Sequence, residues 1–105
     1  MSMSDARIAK LRAFIAARPT DPFPKYALAQ EHRNGGNWQA AWEVWDELLR
    51  LHPEYTATYL HAGHTLIALE RREEAKAVWQ RGIDACIRHG DSHARGELES
   101  ALAEL

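Results

Sequence analysis

A single cysteine, Cys86, in 105 residues rules out an internal disulfide framework. An excess of one charge is missing too. Thirteen lysines and arginines stand against 15 aspartates and glutamates, a net charge of −2. A chain so close to neutral carries no electrostatic footprint for nucleic acid or an anionic membrane surface. No run of about 18 apolar residues occurs, so nothing reads as a membrane span. The opening stretch, M-S-M-S-D-A-R-I-A-K-L-R, is charged throughout and holds no apolar core of a leader peptide. The adjacent Gly35-Gly36 is not followed by Lys-Ser/Thr, which excludes a phosphate-cradling loop. No nucleophile, base and orienting group can be picked out as a set. These absences point to a soluble, cytoplasmic, non-catalytic protein that needs no cofactor.

What is present is apolar surface in a helical pattern. Hydrophobic residues make up 46% and charged residues 27%, the balance of a folded chain and not a disordered one. The length suits one domain with one continuous core. Between Asn37 and Pro53, apolar side chains fall at Trp38, Ala41, Trp42, Trp45, Leu48 and Leu49. That spacing marks one face of an α-helix, and three indoles on one stripe must be covered by something. Ala41 is the small residue among them, where a second helix can approach closely. Thirty-four residues on, Ala41 becomes Ala75, Val44 becomes Val78, Trp45 becomes Trp79 and Leu49 becomes Ile83. A small-then-aromatic pair recurring at this period marks a stacked array of helical hairpins.

The rest of the chain falls into phase with that stretch. Residues 4–18 read as a helix with Ser4 as its cap and Ile8, Leu11, Phe14 and Ile15 as its stripe, stopped by Pro19. Subtracting one period from Trp45, Leu48, Leu49 and Pro53 lands on Leu11, Phe14, Ile15 and Pro19, so this helix has the phase of a hairpin's second helix. Arg7 stands where that phase expects a small residue. Asp21 caps the next helix, with Pro22 in its first turn, and the Gly35-Gly36 turn closes it. Asn37 caps the tryptophan helix. Tyr55 or Thr56 opens the fourth, in which Gly63 costs about 1 kcal/mol relative to alanine and so implies a close backbone approach. The turn at Glu70-Arg71-Arg72 replaces the glycine turn, and a left-handed Glu70 would store strain there. Arg72 to His89 forms the fifth helix, stopped by Gly90. Cys86 falls on its apolar stripe as a buried, unreactive thiol. Asp91 or Ser92 caps a last amphipathic helix with Ala94, Leu98, Ala101, Leu102 and Leu105 inward.

Tyr59-x-x-Ala62-Gly63-x-x-Leu66, followed by Ala75-x-x-x-Trp79-x-x-Gly82, resembles the signature of the tetratricopeptide repeat family. A first copy reads Tyr26, Leu28, Ala29, Gly36, Ala41, Trp45, Leu48 and Pro53. Lys25 replaces an early aromatic, Leu48 is larger than the usual alanine, and Ile87 stands in place of the second proline. The resemblance implies an all-α fold, a right-handed α-solenoid of antiparallel hairpins with about six helices, as in small bacterial members. It divides the chain into a leading half-repeat helix (1–19), repeat 1 (22–54), repeat 2 (55–89) and a C-terminal capping helix (90–105).

Members of this family usually bind a protein or peptide in a groove lined by the first helix of each hairpin. The positions so implied are Phe23, Tyr26, Gln30, Arg33 and Asn34, then Leu60, His61, His64 and Ile67. This mixture of rings, amide, guanidinium and imidazole suits a short peptide or a partner's helix. Relatives that grip a C-terminal carboxylate use lysine and asparagine where this chain has Tyr26 and Gln30, so that activity is not implied. His61 and His64, three apart on one face, have a spacing that can bind metal, and His32 could approach from the neighbouring hairpin. No carboxylate or cysteine accompanies them at ligand spacing, so no metal site is expected. The alternative to a groove is a structural unit that self-associates through its end helices. Trp45 and Trp79 are assigned to the core between the helices of each hairpin; Trp38 lies nearest the turn, where an exposed indole would mark a contact surface. Replacing Ala75 by leucine should overpack the second hairpin and cost about 1–3 kcal/mol, read as an earlier midpoint in chemical denaturation.

Overall fold

The structure, a computed structural model, describes residues 3–105. Among these, six α-helices and no strands are found: α1 (Met3–Ala17), α2 (Pro22–Asn34), α3 (Trp38–Leu51), α4 (Ala57–Ala68), α5 (Arg72–His89) and α6 (Ser92–Ala103). Turns of two to five residues join them, which leaves each helix lying back along its predecessor. Each helix packs on the next in the chain, and α4 also touches α6. None of the helices is long and apolar enough to cross a membrane. Ser4 lies inside α1 and does not cap it, because the helix already runs at Met3. Asn37 likewise makes no side-chain cap, whereas the Asp21 carboxylate accepts the Phe23 N–H at 3.0 Å as expected.

The core is built around two indoles. Trp45 is 0% exposed and Trp79 2%. Burying a tryptophan removes roughly 150–250 Å² from water, about 4–6 kcal/mol at 25 cal/mol/Å². The second indole fits because of Gly63: a Cβ there would fall inside the Trp79 ring. Its Nε1–H donates to the Leu60 carbonyl at 3.2 Å, so the polar edge is not left bare. Trp45 is used differently. Its Nε1–H donates to Thr65 Oγ1 on α4 at 3.0 Å, and its ring stacks on His61 of the same helix at 5.5 Å. Trp45 thus fills its own hairpin, meeting Tyr26 of α2 edge-on at 5.2 Å, and also ties the first hairpin to the second. Ala41 and Ala75, both 0% exposed, are the small contacts the period requires.

Lys25 shows how the repeat absorbs its departures. It lies one period before Tyr59, and the two make the same bond one period apart. Lys25 Nζ donates to the Pro19 carbonyl at 3.5 Å, and the Tyr59 hydroxyl to the Pro53 carbonyl at 2.7 Å. The lysine stem fills the ring's place, and its ammonium meets Glu47 of α3 at 3.3 Å.

The two turns between paired helices also match at one period. Gly36 has φ 76° and Glu70 has φ 60°, both left-handed. Glycine adopts that conformation freely, whereas a residue with a Cβ is strained by roughly 1–2 kcal/mol. Glu70→Gly should therefore stabilise the fold by about 1 kcal/mol, a rise in Tm of about 4–8 °C in a domain of this size. Thermal unfolding followed by circular dichroism checks this, and a lower Tm would contradict the turn.

Candidate functional site

Helices α2, α4 and α6 begin at Pro22, Ala57 and Ser92, and α4 lies between the other two, joined to α2 through Arg33 and His61 and packed on α6. The α2–α4 part of this surface is a ring cluster. Tyr26 stacks on Tyr55 at 5.6 Å and meets Trp45 edge-on at 5.2 Å and His61 at 5.5 Å. The Arg33 guanidinium donates to His61 Nδ1 at 3.1 Å. Because arginine can only donate, that ring nitrogen must accept, which assigns His61 as the neutral imidazole with its proton on Nε2. Burial holds the His61 pKa below its ordinary value of 6.5, and the Arg33 and His64 charges push it the same way. Glu97, reaching over from α6, opposes them.

The α4–α6 part is open. A hollow of about 640 Å³ is lined by Leu60 and His64 from α4 and by Ser92, His93, Gly96, Glu97, Ser100, Ala101 and Glu104 from α6. A Cβ on Gly96 would meet nothing within 4 Å, so the hollow continues over that residue. His64 is exposed, with its ring edge-on to Trp79 at 5.1 Å. His93 and Glu97 face each other at 3.3 Å. α6 is held against α4 by a shared carboxylate. Asp91 accepts the Thr56 hydroxyl at 2.6 Å and the Ala94 N–H at 3.1 Å, and these bonds lower its pKa from the ordinary 3.8.

Of the nine implied positions, the structure brings Tyr26, Arg33 and His61 together and sets Leu60 and His64 along the hollow. Gln30 and Ile67 are half-buried, and Asn34 is exposed as the last residue of α2. Phe23 stands apart, 62% exposed, beside Leu11 and Phe14 of α1. His32 does not approach the other two histidines. It is buried within the fields of Arg12, Glu31 and Glu43 from α1, α2 and α3. Among the described residues, no three histidines, cysteines or carboxylates are grouped to hold a metal ion. The helix expected as a C-terminal cap, α6, also lines the hollow, and its amphipathic stripe is the same in either role.

A tetratricopeptide repeat domain protein of Salinibacter ruber, in its solution structure, superposes with a TM-score of 0.78 at 35% identity over 82% of this chain and 87% of that one. The chain belongs to the tetratricopeptide repeat family. A crystal structure of a Salinibacter ruber protein of the same description superposes at 0.75 with 34% identity, over 80% and 94% of the two chains. A protein from Bordetella parapertussis shares the fold at a TM-score of 0.79 and 21% identity, over 99% and 87%. No family model matches the chain, and no curated protein matches it. Tetratricopeptide repeat folds are in general protein-interaction modules, and their members are typically non-catalytic.

The neutral His61 makes this tetratricopeptide repeat domain acid-sensitive. Its folded pKa is depressed, so the unfolded chain binds the extra proton first as pH falls. The contribution is fully present above about pH 6.5 and is lost on descending through the folded value. His32, lowered by burial and then by Arg12, acts in the same direction. Urea midpoints should fall between about pH 7.5 and pH 5, and His61→Gln should flatten that slope. An unchanged slope in the variant would contradict the neutral assignment.

Proposed function

We propose that the face shared by α2, α4 and α6 binds a peptide or protein segment, and that the domain works as a non-catalytic scaffold. The observation that carries this reading is the division of the face into two kinds of surface. On one side, Tyr26, Tyr55 and His61 form a preassembled ring cluster with Arg33 at its edge. On the other, the open hollow presents Leu60 beside His64, Ser100, Glu97 and Glu104. Rings already fixed by packing lose little side-chain freedom on binding, so contacts to them cost less entropy than contacts to mobile chains. Arginine and aromatic side chains are also those that most often carry binding energy at interfaces.

The chemistry favours an extended or helical segment with an apolar residue for the hollow. An acidic or amide group near it would meet Arg33, whose guanidinium is only half-buried. The proposed face comprises Phe23, Tyr26, Gln30, Arg33, Asn34, Leu60, His61, His64 and Ile67, with two changes. Phe23 is left at the margin, and His93, Glu97 and Ser100 are added from α6.

Charge reversal at Arg33 with a carboxylate at Leu60 tests the reading. In the Arg33→Glu/Leu60→Asp chain, capture of a partner by the immobilised domain should fall at least tenfold while the helical circular dichroism is kept. Capture that survives both changes would place binding on another face.

A further inference from the structure

The two outermost helices of the described chain carry opposite charge. Residues 3–18 hold four cations, Arg7, Lys10, Arg12 and Arg18, against Asp5, a net +3. Residues 91–105 hold four carboxylates, Asp91, Glu97, Glu99 and Glu104, against Arg95, a net −3. The net charge of −2 for the whole chain hides this separation.

Helix phase makes the separation directional. The α1 stripe of Leu11, Phe14 and Ile15 falls one period before Trp45, Leu48 and Leu49 of α3, so α1 has the phase of a second helix; α6 follows α5 in the place of a first helix, as α2 and α4 do. An α1 laid beside the α6 of another copy would continue the alternation of phases without a break. The surfaces fit that order. α1 packs on α2, and Phe14 and Phe23 stay 48% and 62% exposed around an apolar cleft of about 250 Å³. Ile87, at the end of α5 just before α6, is 55% exposed and can supply the apolar counterpart. Arg7 falls one period before Ala41, and its side chain is 61% exposed with a 3.5 Å contact to Glu31. Against an apolar helix an arginine in that place would be a buried charge, whereas against α6 it meets carboxylates.

We propose that the partner fitting the α1 end of this domain is a second copy of the same chain, whose acidic α6 receives the basic, phenylalanine-edged α1 head to tail. Such a contact joins different surfaces on the two copies and leaves one of each free, so further copies can add head to tail. Most of its attraction is between exposed charges, so salt weakens it.

Sedimentation velocity on the full chain over a concentration series tests this. The sedimentation coefficient should climb steadily with concentration at about 20 mM salt and return to the monomer value at about 500 mM. Two reversed chains, Lys10→Glu/Arg12→Glu and Glu99→Lys/Glu104→Lys, should each stay monomeric alone at low salt and associate again when mixed. That reciprocal rescue cannot come from misfolding. The Arg33→Glu chain, altered at the α2–α4 ring cluster and outside the α4–α6 hollow, should associate as the parent does, which separates this contact from the groove. A monomer at every concentration in low salt overturns the proposal. So does an association indifferent to salt and to both reversals, which would mean apolar pairing of one α1 with another.

Discussion

The placement of two indole rings is the constraint from which the remaining architecture follows. Trp79 can enter its hairpin because Gly63 has no side chain, and the indole fills the space that absence leaves. The helix gives up about 1 kcal/mol of propensity at that glycine and gains several-fold more in buried ring. Trp45 has Ala29, not glycine, one period before Gly63, and it turns instead to Thr65 and His61 of α4. Both rings fill a hairpin, and Trp45 also joins the two. The same bond that joins them also positions His61, so the core and the candidate face are parts of one network.

That linkage gives the face its character. His61 is stacked on Trp45, edge-on to Tyr26 and bonded to Arg33, so it cannot turn without disturbing a buried ring. Its neutral state follows first from burial and then from the guanidinium that it accepts from. Toward α6 the structure loosens: the lining becomes small, hydroxylic and carboxylate, and Gly96 faces open space. A rigid aromatic half beside an open polar half suits recognition of a chain segment better than closure around a small molecule.

The helical pattern was legible because its causes are local. Apolar stripes at helical spacing, prolines at Pro19 and Pro53, and glycines at turns each act within a few residues. The left-handed Glu70 was legible too, since Gly36 occupies the same place one period earlier. Other features depend on neighbours distant in the chain. Thr65 reads as an ordinary helical polar residue until Trp45 donates to it, and Lys25 reads as a loss of core until Pro19 and Glu47 receive it. The candidate face was half legible. Tyr26, Arg33 and His61 do meet, but Phe23 turns out to belong with α1, and α6 was overlooked because an amphipathic stripe describes a cap and a groove wall equally well.

Hydrogen exchange of the four indole N–H groups, followed by NMR, tests the account most directly. Trp45, bonded to Thr65, and Trp79, bonded to the Leu60 carbonyl, should exchange far more slowly than Trp38, which is 37% exposed. Equal, fast exchange at Trp45 or Trp79 would contradict the buried-ring arrangement on which the hairpins, the neutral histidine and the shared face all rest.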